Sequence, residues 1–216
     1  MAYYVVVDLE MCKVPKYNKP GYGHNHEIIQ IGAALMDDKL DIIDKYSTFV
    51  KPEYGVLDDF ISKLTGIKPE DLKDAPMVAE AVEDFLGWLP DGEVTAISWS
   101  FADRNQFHHE LTSKGIEISD RFNHILENWV DCQPQFSEKM NMKKRYSLEE
   151  ALVAADICTD GHAHNGMVDA YNTALLYAKM QREDKLVLNK YYKTAHEDSE
   201  PEHLSFSFGD LLDKLT

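Results

Sequence analysis

The spacing of apolar residues changes along the chain, and each change marks an element. Tyr3 to Leu9 is a nearly unbroken aromatic and β-branched run, the pattern of a strand buried on both faces. Pro15, Pro20, Gly21 and Gly23 then predict a loop over 13–26. Ile28 to Leu35 reads as a second strand, Asp37-Asp38-Lys39 as a turn, and Ile42 to Val50 as a third strand. Together they predict an antiparallel meander. Leu57, Phe60, Ile61 and Leu64 next recur at helical spacing. Val78, Val82, Phe85, Leu86 and Leu89 repeat that spacing behind Pro76, a residue suited to a first turn. Val94 to Trp99 is a short apolar strand, Asp103 to Leu111 a helix, and Ile125 to Val130 a further strand. Ser147-Leu148-Glu149-Glu150 resembles a capping box, and Met167 to Met180 forms a long helix.

This order predicts an α/β fold, a mixed sheet of antiparallel meander plus parallel strands flanked by helices. It occupies residues 1–182. The more polar stretch 183–216 is expected to be a C-terminal extension packed on that domain, with alternation over Leu204 to Phe208 and helical turns over 210–215.

Three segments carry chemistry. In Asp8-Leu9-Glu10, at the expected end of the first strand, the period of two puts both carboxylates on one face. Two such groups repel unless a cation lies between them. Asp103 follows the strand and turn Ser98-Trp99-Ser100-Phe101-Ala102, where it opens a helix. It is either a plain helix cap or a ligand at the carboxyl end of a strand, where ligands collect in open α/β sheets. His164 lies five residues before Asp169, with Gly166 between them. That spacing predicts a histidine in a loop beside an acid fixed on the first turn of a helix. An imidazole, with an ordinary pKa near about 6.5, suits a general base.

Taken in order, these segments resemble the DEDDh 3′→5′ exonucleases, which have the RNase H-like fold. The family's acid-x-Glu, its Asp after a strand and its His five residues before an Asp on a helix match Asp8/Glu10, Asp103 and His164/Asp169. His26-Glu27-Ile28-Ile29-Gln30-Ile31-Gly32, Phe49-Val50-Lys51-Pro52 and Leu64-Thr65-Gly66-Ile67 match further family segments. The similarity spans about residues 3 to 180 and looks closest to the ERI-like exoribonuclease branch. The resemblance implies two Mg²⁺ or Mn²⁺ ions held by Asp8, Glu10, Asp103 and Asp169, with His164 taking a proton from water. Its substrate would be the 3′ end of single-stranded nucleic acid, RNA in preference to DNA, and its product a nucleoside 5′-monophosphate. Met11, Leu64, Thr65 and Trp99 are the candidates to contact that end. A DNA-trimming exonuclease, or a non-catalytic nucleic-acid-binding module on the same fold, is the alternative.

Composition narrows the substrate. The formal net charge is -16, against the basic balance of proteins that wrap duplex DNA. Short single strands suit such a surface better, because bound cations can dominate the local field. Cys12, Cys132 and Cys158 form no CxxC pair, and His24/His26 and His162/His164 have no cysteine partners at zinc spacing. Reduced structural thiols and no zinc site are expected. The opening residues lack a basic segment and the chain has no long apolar run, so a cytoplasmic protein without a membrane span is expected.

Overall fold

In a computed structural model, which describes residues 2–141, 144–158, 164–186 and 189, the apolar runs become a five-stranded sheet in the order β3-β2-β1-β4-β5. The elements are β1 (Ala2–Lys13), α1 (Lys19–Tyr22), β2 (His26–Met36), β3 (Ile42–Phe49), α2 (Asp59–Thr65), α3 (Pro69–Lys73) and α4 (Val78–Trp88). They continue with β4 (Glu93–Ser98), α5 (Ala102–Ser113), α6 (Asp120–Glu127), β5 (Val130–Asp131), α7 (Cys132–Lys139), α8 (Leu148–Ala154) and α9 (Gly166–Arg182). β1 to β3 pair antiparallel, whereas β4 runs parallel to both β1 and β5.

Alternation along β1 divides the core. Val5, Val7 and Leu9 pack with α4, α5 and α6 on one face. Val6 faces the other way, into a cluster with Trp99, Phe136, Tyr146, Ala174 and Tyr177, beneath α7, α8 and α9. By the same period, Asp8 and Glu10 lie on the α9 face.

Several expectations are corrected. β1 does not end at Glu10. It continues to Lys13 because β2 keeps pairing with it as far as His26, past a bulge at Glu10/Met11. What stops is the parallel pairing with β4, whose last register pair is Val6 with Ile97. Half of the expected strand over Ile125 to Val130, residues 125–127, is the end of α6, and only Val130 of it is extended, in β5. Ser119 caps α6 by accepting from Phe122 N–H, and Phe122, Ile125 and Leu126 bury one helical face. The helical segments α1, α3 and α7 were not foreseen. Of the 183–216 extension, all but 183–186 and 189 lies outside the described residues. The Ser147 to Glu150 capping box forms as read, with both reciprocal bonds present.

A buried charge network ties α5 to the sheet. The Lys114 ammonium sits 2.5 Å from Glu27 Oε1 and 3.0 Å from Glu110 Oε1, with both carboxylates fully buried. Glu27 also accepts from the backbone N–H groups of Glu53, Tyr54 and Gly55. Glu110 accepts from Ile28 N–H at 2.8 Å and from the Gln106 amide at 3.0 Å. Burial opposes the charge on Lys114, yet the two carboxylates outweigh it and hold its pKa above the ordinary value. Lys114→Met should leave two buried carboxylates uncompensated, at a cost of about 3–5 kcal/mol. Thermal denaturation should show a fall of roughly 10 °C for a chain of this size. A melting temperature within a degree or two of wild type would show that this network contributes little to stability.

Among the described residues no helix is long and apolar enough to cross a membrane.

Candidate active site

The site is built where β1 loses one neighbour and keeps the other. Beyond Val6, the β1 edge facing β4 has backbone groups with no strand to satisfy them. Asp103, in the first turn of α5, fills this gap: its Oδ1 accepts the Leu9 N–H at 3.0 Å. Phe101, not Asp103, is the N-cap residue of α5, so the plain-cap reading of Asp103 is replaced by a bond across to β1.

On the α9 face, the first turn of the long helix descends onto the same part of β1. Two glycines permit this. A Cβ on Gly32 would lie 2.0 Å from the Gly166 carbonyl carbon, and one on Gly166 would lie 2.9 Å from the Asp8 carbonyl oxygen. Asn165 caps the helix, accepting from Val168 N–H at 3.3 Å. This docking brings Asp169 to the β1 acids. Carboxylate oxygens of Asp8, Glu10 and Asp169 all lie within 4.8 Å of one another.

The electrostatics follow from that crowding. Asp8 is pushed well above the ordinary carboxylate range by burial first, then by Asp103, Glu10 and Asp169. Glu10 is raised to about 8, again chiefly by burial and then by Asp169 and Asp103. Burial raises Asp103 to about 7, against the bonds from Leu9 and its own backbone. Asp169 is also raised by burial, while the His164 backbone bond and charge pull it down. A desolvated set of carboxylates that disfavours its own ionisation is a set of hard oxygen donors suited to a divalent cation. The donor chemistry therefore fits the divalent-metal dependence of the family described below.

His164 has a left-handed backbone, φ 64°, and is exposed. Its N–H donates to Asp169 Oδ2 at 2.8 Å. His164 is therefore tied through its backbone to the acid it precedes.

The expected substrate contacts separate into two groups. Leu64 and Thr65 line a cleft of about 420 Å³ with Phe49, Lys63, Ile67 and Asn165. Asn165 places the cleft beside the start of α9. The Thr65 hydroxyl is used locally, donating to Ile61 O and accepting from Ile67 N–H. Met11 is half-buried against the α4/α5 core. Trp99 instead belongs to the core: it is buried, tilted against Phe136, and its Nε1–H donates to Tyr146 O at 3.2 Å. The aromatic that stays exposed near Asp103 is Phe101.

Sequence reading missed Asp131, a half-buried carboxylate on β5 that raises the Asp103 pKa. Asp131 accepts the N–H groups of Gln133 and Phe101, holding the turn that leads to Asp103. Its position at the carboxyl end of a parallel strand was the available signal, hidden because β5 is only two residues long.

The family model for the RNase T exonucleases matches residues 5–177. ERI1 exoribonuclease 2 of Danio rerio is 26% identical over 202 residues, covering 83% of this chain and 35% of that protein. The PolC-type DNA polymerase III of Caldanaerobacter subterraneus is 29% identical over 156 residues, covering 72% of this chain and 10% of the polymerase. The chain thus spans about a third of the first relative and a tenth of the second. The solved nuclease domain of 3′hExo, a DEDDh family member bound to rAMP, superposes with a TM-score of 0.71 at 21% identity. That superposition covers 87% of this chain and 96% of the solved one, and it shows the RNase H-like fold. With the family model matching most of its length and its acids gathered at the end of the parallel pairing, the chain belongs to the RNase T exonuclease family and is similar in sequence to an ERI1 exoribonuclease.

Proposed function

We propose that this protein is a divalent-metal-dependent 3′→5′ exonuclease acting on single-stranded nucleic acid, RNA in preference to DNA, and releasing nucleoside 5′-monophosphates. The observation that carries the reading is the meeting of Asp8, Glu10 and Asp169 from distant parts of the chain. When bound, a pair of Mg²⁺ or Mn²⁺ ions supplies Lewis-acid stabilisation of the attacking and leaving oxygens and makes water a stronger nucleophile near neutral pH.

Every other task falls to the chain. Asp8, Glu10 and Asp169 supply oxygen donors from two backbone elements, so the ligand set is complete only when α9 is docked. Asp103 adds a fourth carboxylate, held by Leu9 N–H. The exposed His164 imidazole accepts the proton of the attacking water, beside the Asp169 that its backbone holds. The cleft at Leu64 and Thr65 seats the terminal nucleoside against apolar walls, and Met11 lies next to the acids along β1. A net charge of -16 leaves little to grip a long duplex, which favours free single-stranded ends. The RNA preference draws support from the exoribonuclease relative and from the rAMP-bound neighbour.

Matched RNA and DNA single strands, labelled at the 5′ end, test this reading directly. With Mn²⁺ both should give a ladder shortening from the 3′ end, RNA faster, and chelation should stop it. His164→Ala should slow RNA trimming by about 10²-fold or more. Faster trimming of DNA would overturn the RNA preference. No ladder on either strand would replace the enzyme with a binding module on the same fold.

A further inference from the structure

The amide of Gln30, itself no acid, ties β2 and β3 to the start of α9, the helix that carries Asp169. Gln30 is 2% exposed and sits on β2, in register with Glu10 of β1 and Phe49 of β3. Its Oε1 accepts the Gly166 N–H at 3.1 Å, and its Nε2–H donates to the Ser47 hydroxyl at 3.0 Å. Gly166 is the first residue of α9 and Asp169 the fourth.

A helix begins with N–H groups that have no intrahelical acceptor. Asn165 provides for Val168 within its own segment. Gly166 N–H is met from the sheet, by a side chain whose backbone neighbour is Glu10. The bond is buried, and the Gly32/Gly166 contact allows the helix end no slack towards the sheet. The distance between Asp169 and the β1 acids is therefore fixed at two points, the glycine contact and this amide. A carboxylate at position 30 would keep the acceptor. An apolar side chain of the same size would leave the Gly166 N–H unsatisfied and the helix end free to shift.

We infer that Gln30 is a positioning residue, which sets the divalent-cation affinity of the site by capping α9 from the sheet. This rests on the nuclease reading only in taking Asp8, Glu10 and Asp169 as cation ligands. Groups that orient metal ligands typically change affinity 10–100-fold when removed.

The test is a titration of the purified full chain with Mn²⁺ alone, following the free ion by electron paramagnetic resonance without substrate. Gln30→Met should weaken Mn²⁺ binding by about 10-fold or more, and Gln30→Glu should recover most of the loss. Gln30→Asn, too short to reach Gly166 but still polar, should weaken binding like the Met variant, and it answers the question if that variant fails to fold. Melting of the cation-free proteins is read in parallel. Lower melting temperatures with unchanged Mn²⁺ affinity would overturn the inference, leaving Gln30 a purely structural residue. If wild type binds Mn²⁺ and the variants behave as expected, but wild type trims no strand, the nuclease reading fails while the positioning role stands. A wild type that trims RNA while Gln30→Met binds Mn²⁺ normally defeats the positioning role alone.

Discussion

Asp8→Asn is expected to lower turnover by at least ~10³-fold while raising the melting temperature of the cation-free protein at pH 8. Both effects come from one charge. Asparagine keeps the shape of the side chain but removes a donor that the proposed mechanism needs. Lewis-acid stabilisation is worth several kcal/mol in the transition state, and each 1.36 kcal/mol is about tenfold in rate.

The gain in stability follows from linkage. Glu10 has a folded pKa of about 8 against an ordinary 4.5, so the folded state binds the proton more tightly than the unfolded chain. Its contribution is fully present below about pH 4.5 and is lost as pH rises through about 8. Asp8 is raised in the same direction by burial and by its three acidic neighbours. Cation-free wild type should therefore lose stability as pH rises across this window. Asp8→Asn removes one of the repelling charges, so its loss should be smaller.

Divalent cations act in the opposite sense. At a hundredfold excess over its dissociation constant, a ligand stabilises by about 2.7 kcal/mol, or roughly 5–10 °C for a chain of this size. That shift should be present at pH 8 in wild type and much reduced in Asp8→Asn. Trimming at the wild-type rate, together with an undiminished Mn²⁺ shift, would show that Asp8 is not a ligand.

The second large effect is expected from a single methyl group. In Gly32→Ala the new Cβ would lie 2.0 Å from the Gly166 carbonyl carbon and 2.2 Å from Met167 N, both backbone atoms of α9. Backbone cannot rotate aside, so the helix must move off the sheet. Overpacking of this kind costs about 1–3 kcal/mol or more. A displacement near 1 Å at a reacting group can cost about 10²-fold in rate. Turnover should fall by that order because Asp169 moves with the helix. Gly87→Ala is the control: at this exposed position of α4, nothing lies within 4 Å of the added methyl. It should leave turnover unchanged and stabilise by about 0.5–1 kcal/mol. Equal activity in Gly32→Ala and wild type would show that α9 can retreat without disturbing the site.

The sequence by itself determined which residues share a face. A period of two put Asp8 and Glu10 together, helical spacing put Asp169 on a first turn, and Ser147 to Glu150 announced a capping box that formed. These are local properties of backbone geometry, and they survive folding. The family, too, was legible, because several weak motifs fell in the right order. Tertiary structure decided what depends on a neighbour distant in sequence. β1 runs past Glu10 because β2 still pairs with it, and Asp103 turns from cap to cross-strand acceptor because β4 has ended. Residues 125–127 became helix because packing on β4 and α5 rewards one buried helical face. Trp99 was taken into the core by Phe136 and Tyr146, where its ring is buried. The acids themselves meet only because Gly32 and Gly166 leave room for two backbones to touch, a matter of missing atoms whose consequence exists only once the partner is in place.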